Sequence, residues 1–401
     1  MTVNEPMYAL PTWTPSGGRL IAKTMQGLEA VLAEELRQMG AENVEEHRRA
    51  VAFDGDRKML YRVNYEARTA LRVLTPIYSF TALQEKQFYN KVREVDWSKY
   101  MHVDQTLAVD AIVQSATFGH SKYLALLTKD AIVDQFREKQ GKRPSVNTEA
   151  PHIKIHVHVY GNHCDIMLDS SGDSLHLRGY RRDVVSAPLN EVLAAGMILL
   201  SGWNGRGAFA DPMCGSGTLP IEAAMIAMRI PPQRQRNNFS FMRWNSFDGK
   251  LWEQVRKEAE SNITPFEFPI LASDIDSRAR NAAAINVMTA ELENVIQIER
   301  KPFAALEPPA EHGFIITNPP YDERMPLEDA IAFYQKIGDR LKHRWTGWEA
   351  WIISANKEAL KHLGLRPSRK IPLLNGALEC SYQRFELFAG KKGYTAEQEA
   401  S

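Results

Sequence analysis

The residues best suited to do chemistry are Asn318-Pro319-Pro320-Tyr321, which follow an apolar, strand-like run over residues 314–317. An amino group conjugated to a base ring is a poor nucleophile, because its lone pair is delocalised into the ring. A carboxamide oxygen and a backbone carbonyl can accept its two hydrogens, which draws the nitrogen toward sp³ geometry and frees that pair. Asn318 supplies the carboxamide, and the following prolines fix the backbone so that the carbonyl of Pro319 points inward. Tyr321 gives a face on which a base can stack. With a sulfonium methyl donor no residue has to abstract a proton before attack.

A second motif, Asp211-Pro212-Met213-Cys214-Gly215-Ser216-Gly217-Thr218, lies between a short strand at 208–210 and a helix at 219–228. Gly215 and Gly217 permit a tight turn and close approach of a ligand to bare backbone. The helix start presents unpaired N–H groups toward a carboxylate. The motif is neither the GxGxxG of dinucleotide binders nor a phosphate loop with GK[ST]. It suits an amino-acid-bearing cofactor whose ammonium pairs with Asp211. Cys214 has no histidine in its motif to activate it and reads as a small residue beside that cofactor. A third motif, Ser273-Asp274-Ile275-Asp276, follows a strand at 270–272. Asp274 there can accept both ribose hydroxyls of a nucleoside; its other reading is an N-cap for the next helix. The spacing from Asp211 far exceeds the roughly 20 residues of a Rossmann unit, so an insertion separates the two. It carries Phe239, Phe241, Trp244 and Trp252, and residues 229–257 hold seven basic side chains against two acidic ones.

These loops need a scaffold of alternating strands and helices. From about residue 187 the chain supplies it: helix 192–200, strand 208–210, helix 219–228, strand 270–272, helix 278–287, strand 313–317, strand 350–354 and a helix through 363. Such alternation signals a parallel α/β sheet. Strand runs at 370–374 and 377–387 meet at Asn375-Gly376, a favoured two-residue hairpin turn. An α/β sheet that closes with an antiparallel hairpin is the usual ending of the S-adenosylmethionine methyltransferase fold. Upstream, strand 19–22, helix 28–36, strand 50–53 and helix 57–67 form a small α+β unit. A further unit holds strand 106–113, helix 123–136 and the alternating run 153–159, whose His156 and His158, like the preceding His152, read as a solvated face. No metal site is expected.

Composition bounds the rest. The chain is 44% apolar and 24% charged with zero formal net charge, so overall charge neither favours nor excludes a nucleic-acid partner. Its three cysteines cannot build a disulfide framework and fit a reducing cytoplasm. No run approaches the roughly 20 apolar residues of a membrane helix, and residues 1–18 lack the pattern of a signal peptide.

Taken together, the three motifs resemble those of amino-methyltransferases acting on nucleic-acid bases. The whole chain is similar to the THUMP-domain methyltransferases, and among them to the N2-guanine methyltransferases of large-subunit ribosomal RNA. The N-terminal likeness rests on Phe118-Gly119-His120-Ser121-Lys122-Tyr123 and Lys129-Asp130-Ala131-Ile132-Val133-Asp134. Leu175-His176-Leu177-Arg178-Gly179-Tyr180-Arg181 with Ala187-Pro188-Leu189-Asn190-Glu191 looks like the segment that introduces the catalytic domain.

The resemblance implies a lead-in (1–18), a ferredoxin-like domain (19–75) and a THUMP RNA-binding domain (76–172). A Rossmann-like, seven-stranded class I methyltransferase domain (173–390) and a tail (391–401) follow. It implies S-adenosylmethionine as cofactor, held by Asp211, Cys214, Gly215, Gly217 and Asp274, and a target base held by Asn318, Pro319 and Tyr321. Ribosomal RNA is the expected partner and transfer RNA the alternative, with Lys122, Lys142, Arg143, Arg178, Arg181, Arg182 and Arg243 as candidate RNA contacts. A cytoplasmic monomer is expected. Two departures stand out. The family's acidic or amide contact to adenine has no clear counterpart in Glu299-Arg300-Lys301-Pro302-Phe303. The chain is also too short for the second methyltransferase domain fused to some bacterial members, so one reaction is expected. A binding protein with a decayed cofactor site is the non-enzymatic alternative.

Overall fold

The structure is a computed structural model, and it describes residues 12–183, 188–320 and 326–388. They divide into two compact units. One holds the described residues up to Arg178 together with Pro231–Asn262; the other holds Gly179–Ile230 and the described residues from Ile263 onward.

The first unit is built on one eight-stranded sheet. Its strands are β1 (Arg19–Lys23), β2 (Glu42–His47), β3 (Ala50–Asp54), β4 (Arg72–Thr81), β5 (Thr106–Gln114), β6 (Ser145–Val146), β7 (Ile153–Tyr160) and β8 (His163–Asp169). They lie in the order β2-β3-β1-β4-β8-β7-β5-β6. Its helices are α1 (Glu29–Gln38), α2 (Arg57–Glu66), α3 (Glu85–Glu94) and α4 (Ser121–Gln140). β4 pairs antiparallel with β1 on one side and with β8 on the other. The division expected between residues 75 and 76 therefore falls inside a strand that both halves share. β7 buries Ile153, Ile155, Val157 and Val159, as its alternation requires. His156, on the opposite face, is not freely solvated: burial, with help from Lys23, His158 and Arg72, lowers its pKa to about 4.

In the second unit α5 (Glu191–Ser201), β9 (Ala208–Asp211) and α6 (Thr218–Ala227) come first. The chain then returns to the first unit, where α7 (Gly249–Ser261) and the residues before it complete the core. Phe239, Phe241, Trp244 and Trp252 are buried there. Tyr61 of α2 stacks on Phe241 with ring centroids 4.5 Å apart, and Tyr65 meets Trp252 edge-on at 5.4 Å. The insertion's aromatics are thus core residues, and its basic side chains are largely engaged: Arg243 donates to Pro151 O and Asn238 Oδ1, while Arg236 donates to Ser171 O and Asp173 O.

Back in the second unit follow β10 (Ile270–Ser273), α8 (Ser277–Thr289), β11 (Ile296–Glu299), β12 (Gly313–Thr317), α9 (Leu327–Arg344), β13 (Trp348–Ser354), α10 (Lys357–Lys361), β14 (Arg369–Asn375) and β15 (Leu378–Glu386). The seven-stranded sheet runs β11-β10-β9-β12-β13-β15-β14, with the first five strands parallel and β15 antiparallel to both neighbours. The closing turn is shifted by one residue from the expected position. Asn375 pairs with Leu378, leaving Gly376-Ala377 as the turn. Only Gly376 of the two has a positive φ, +62°, which is the requirement of a II′ turn with glycine first rather than of a I′ turn.

Sheet order places the site. From β9 the chain moves outward to β10 and β11, then crosses back to β12 on the other side of β9. The reversal between β9 and β12 opens a crevice at their carboxyl ends, where ligands of such sheets bind.

Candidate active site

Every motif residue described in the second unit lies at that crevice or in the loops that frame it. Asp211 ends β9 and is almost wholly buried. Its Oδ1 accepts hydrogen bonds from the Thr317 hydroxyl (2.7 Å) and from the Met213 amide (3.2 Å). Oδ2 has no hydrogen bond among the described residues. Burial raises the carboxyl pKa to about 7, and the nearby charge of Asp274 adds to the rise, while the two hydrogen bonds oppose it.

The next residues form a loop of bare backbone. Gly215 and Gly217 have φ of +52° and +84°, a region in which L side chains are strained. A Cβ on Gly217 would also stand 3.2 Å from Cβ of Ala283 on α8. Gly217 is the N-cap of α6 and offers no side chain, so the helix start is uncapped. Among the described residues the amides of Thr218 and Leu219 have no hydrogen-bond partner, and Pro220 has no N–H to satisfy. Cys214 is buried, and its thiol pKa is pushed well above the ordinary value by that burial. A thiol held protonated by burial has little nucleophilic thiolate character.

Asp274 follows β10 and is not the cap of α8; that role belongs to Asp276, whose carboxylate accepts from the Arg278 amide. Asp274 instead binds the loops: Oδ2 accepts from the Gly215 amide (2.9 Å) and Oδ1 from the Asp276 amide (3.0 Å). Each oxygen keeps a lone pair for a further donor. Ile275 beside it is 66% exposed, an apolar face with no protein cover. Glu299, in the region where no adenine contact was evident, accepts from Gln297 at Oε1 and has its buried Oε2 in an ion pair with Lys301 (2.7 Å).

Asn318 follows β12, and its Oδ1 is buried with no hydrogen-bond partner among the described residues. An unmet acceptor of this kind costs about 1–3 kcal/mol in the free protein, and it is open to an incoming donor. Pro319 is buried after it. Tyr321 lies outside the described residues. Sequence reasoning overlooked Thr317, whose hydroxyl joins the Asp211 loop to the Asn318 loop. The signal was a hydroxyl on the last residue of an otherwise apolar strand.

The candidate RNA contacts fare unequally. Lys122, Lys142, Arg143 and Arg182 are exposed. Arg178 is buried and donates to Leu175 O and to Arg68 O, so its guanidinium is spent inside the first unit. Arg243 is held as described above. Arg181 pairs with Glu191 (2.8 Å) and reaches Leu189 O and the Thr218 hydroxyl, a role within the protein.

Three family descriptions match the chain: an RlmL ferredoxin-like domain at residues 19–74, a THUMP domain at 83–169, and an RMKL-like methyltransferase domain at 178–384. A Synechocystis protein named, provisionally, as an RNA methyltransferase is 40% identical over 92% of this chain and 96% of its own length. The ribosomal RNA large subunit methyltransferase K/L of Syntrophotalea carbinolica is 38% identical over 92% of this chain, but the match covers 53% of that protein. The chain thus spans about half the length of this K/L relative. Among solved structures, SMU.472, assigned to the methyltransferases and crystallised with S-adenosylhomocysteine, superposes with a TM-score of 0.85 at 28% identity, covering 94% of this chain and 100% of that one.

Proposed function

Because the chain belongs to the family with the RMKL-like methyltransferase domain, we propose that it transfers methyl from S-adenosylmethionine to the exocyclic N2 amine of a guanine in large-subunit ribosomal RNA. The observation that carries this reading is the Oδ1 of Asn318, buried and without a partner among the described residues, set on a strand end that Thr317 ties to Asp211. A THUMP domain in the same chain and the naming of the K/L relative support RNA as the substrate class.

The residues fit the cofactor. Asp211 Oδ2 would take its ammonium, and the uncapped start of α6 its carboxylate. Asp274 would take the ribose hydroxyls through its remaining lone pairs, with Ile275 against the adenine. Bound S-adenosylmethionine supplies a methyl group on a sulfonium, already activated toward attack.

The protein's part is orientation and polarisation. Asn318 Oδ1 and the Pro319 carbonyl accept the two hydrogens of the guanine amine, so that its lone pair turns out of conjugation and toward the methyl group. The stacking face is assigned to Tyr321 on the sequence motif alone. Holding the amine in line lowers the barrier without a general base before attack. The methylated, cationic amine then loses one proton to water as S-adenosylhomocysteine departs as the neutral thioether. The test is transfer of labelled methyl to separated ribosomal RNA, transfer RNA and DNA. Label confined to large-subunit RNA supports the proposal. Label in transfer RNA or DNA moves the substrate elsewhere, and no label in any fraction leaves a binding protein.

A further inference from the structure

α8 is the bed on which the glycine loop rests. Its buried stripe is Ala279, Ala282, Ala283, Asn286 and Val287, four small or apolar residues and one carboxamide. Ala283 has to be small, because Gly217 lies against it. One turn further along the same face, Asn286 is 1% exposed, and its side chain makes four hydrogen bonds. Oδ1 accepts from the amides of Arg182 (2.8 Å) and Asp183 (3.1 Å). Nδ2 donates to Asp183 O (2.9 Å) and to Ser216 O (3.0 Å). That exhausts the capacity of an amide.

The effect is to clamp two separate stretches of backbone. Residues 182–183 and the Gly215-Ser216-Gly217 loop are fixed to each other through one side chain. Arg181, next to the first stretch, adds a second tie by reaching the Ser216 hydroxyl (3.4 Å) and the Thr218 hydroxyl (3.1 Å). With Asp274 on the Gly215 amide (2.9 Å), the loop is held at consecutive residues, while among the described residues the amides of Thr218 and Leu219 stay unclaimed.

We propose that Asn286 is a positioning residue for the cofactor: it sets the Gly215–Gly217 backbone and the 182–183 segment in one fixed relation, so that the α6 amides meet the cofactor's carboxylate without reorganisation. The proposal rests on the cofactor reading above. Asn286 touches neither the cofactor nor the target amine, so its loss weakens cofactor binding and leaves turnover at saturation in place.

The test uses the full chain and S-adenosylhomocysteine as probe, with Asn286→Asp and Asn286→Leu. Asn286→Asp keeps the shape and both acceptor contacts but replaces the one nitrogen that makes both donations with an oxygen facing two carbonyls. Asn286→Leu removes all four bonds. Cofactor KM and the S-adenosylhomocysteine Kd should rise about tenfold or more, the cost of a loop no longer held in place. At saturating cofactor, kcat should stay within about threefold of the parent protein, and RNA affinity should not move. Thermal unfolding with saturating S-adenosylhomocysteine is measured alongside. Unchanged Kd in both variants overturns the proposal, as does a fall in kcat that saturation cannot restore. Unfolding of both variants at assay temperature despite the ligand also overturns it, since Asn286 would then be a folding residue. If the parent protein itself does not bind S-adenosylhomocysteine, it is the cofactor reading that fails.

Discussion

Replacing Asn318 by alanine separates a group reserved for substrate from one that holds the fold, because the two roles predict opposite signs for stability. Its Oδ1 is buried and, among the described residues, unpartnered, so the free protein already bears a desolvation cost of about 1–3 kcal/mol. Truncation removes that orphan. Stability of the free protein should therefore hold or rise slightly, by no more than about 1–2 kcal/mol after the loss of side-chain packing. In the reaction, the same oxygen accepts a hydrogen of the target amine. Loss of one such preorganised contact costs about 2.7–4 kcal/mol at the transition state, or 10²–10³ in kcat. The assay pairs single-turnover methyl transfer with thermal unfolding and S-adenosylhomocysteine binding. The expected result is a rate lower by about 10²–10³, unchanged cofactor affinity, and a midpoint equal to or above that of the parent. A variant that is less stable by about 2 kcal/mol with a proportionate loss of cofactor binding would refute the reasoning, since Asn318 would then be structural.

The Asp211 carboxyl, raised to about 7, makes two further predictions. A folded-state pKa above the unfolded value means the folded state binds more protons, so this carboxyl's contribution to stability is full below about pH 4 and is lost as pH rises toward 7. Asp211→Asn should abolish that slope while also abolishing cofactor binding; an unchanged slope would assign the titration to another group. Cofactor affinity, which needs the ionised carboxylate, should fall up to tenfold per unit below about pH 7, and titration calorimetry showing a flat profile from pH 5.5 to about 7.5 would contradict the pairing. Thr317→Val removes a hydrogen bond that stabilises the carboxylate, so this profile should shift to higher pH; no shift would sever the proposed link between the two loops. Finally, a fragment ending at Arg178 lacks Phe239, Phe241, Trp244 and Trp252, all buried in the first unit. Losing even one buried aromatic costs about 3–5 kcal/mol against a typical stability of 5–15 kcal/mol. Such a fragment should unfold without cooperativity, and a sharp calorimetric transition would show the insertion to be dispensable.

The catalytic-domain architecture was largely legible because its strands are short apolar runs ending in recognisable loops. β9, β10 and β12 were read to within a residue or two, and the terminal hairpin missed by one position only because Asn-Gly and Gly-Ala are both acceptable turns in isolation. β8 escaped notice because it is buried on both faces and so lacks the alternation that revealed β7. β4 was missed for a different reason: Pro76 interrupts its pattern, and its pairing with β8 is irregular between Pro76 and Tyr78. α9 did carry a signal, since Ala330, Tyr334, Ile337 and Leu341 recur at helical spacing and are all buried.

At the site, residue types pointed to Asp211, Asp274 and Asn318 as candidates, but not to what holds them. A hydroxyl at position 317 and a carboxamide at 286 gain meaning only when distant strands and helices meet. Asn286 left one trace, a polar residue on the buried stripe of an alanine-rich helix. The basic residues misled in the other direction, for charge alone does not show that Arg178 is buried or that Arg243 serves Pro151 O and the Asn238 side chain.

The central claim is the identity of the methylated atom. The most direct measurement is mass spectrometry of nucleosides from large-subunit RNA incubated with the protein and labelled S-adenosylmethionine. The account predicts label in N2-methylguanosine, absent when Asn318 is alanine. Label in N6-methyladenosine, or in any nucleoside methylated on carbon or on the ribose, would contradict it.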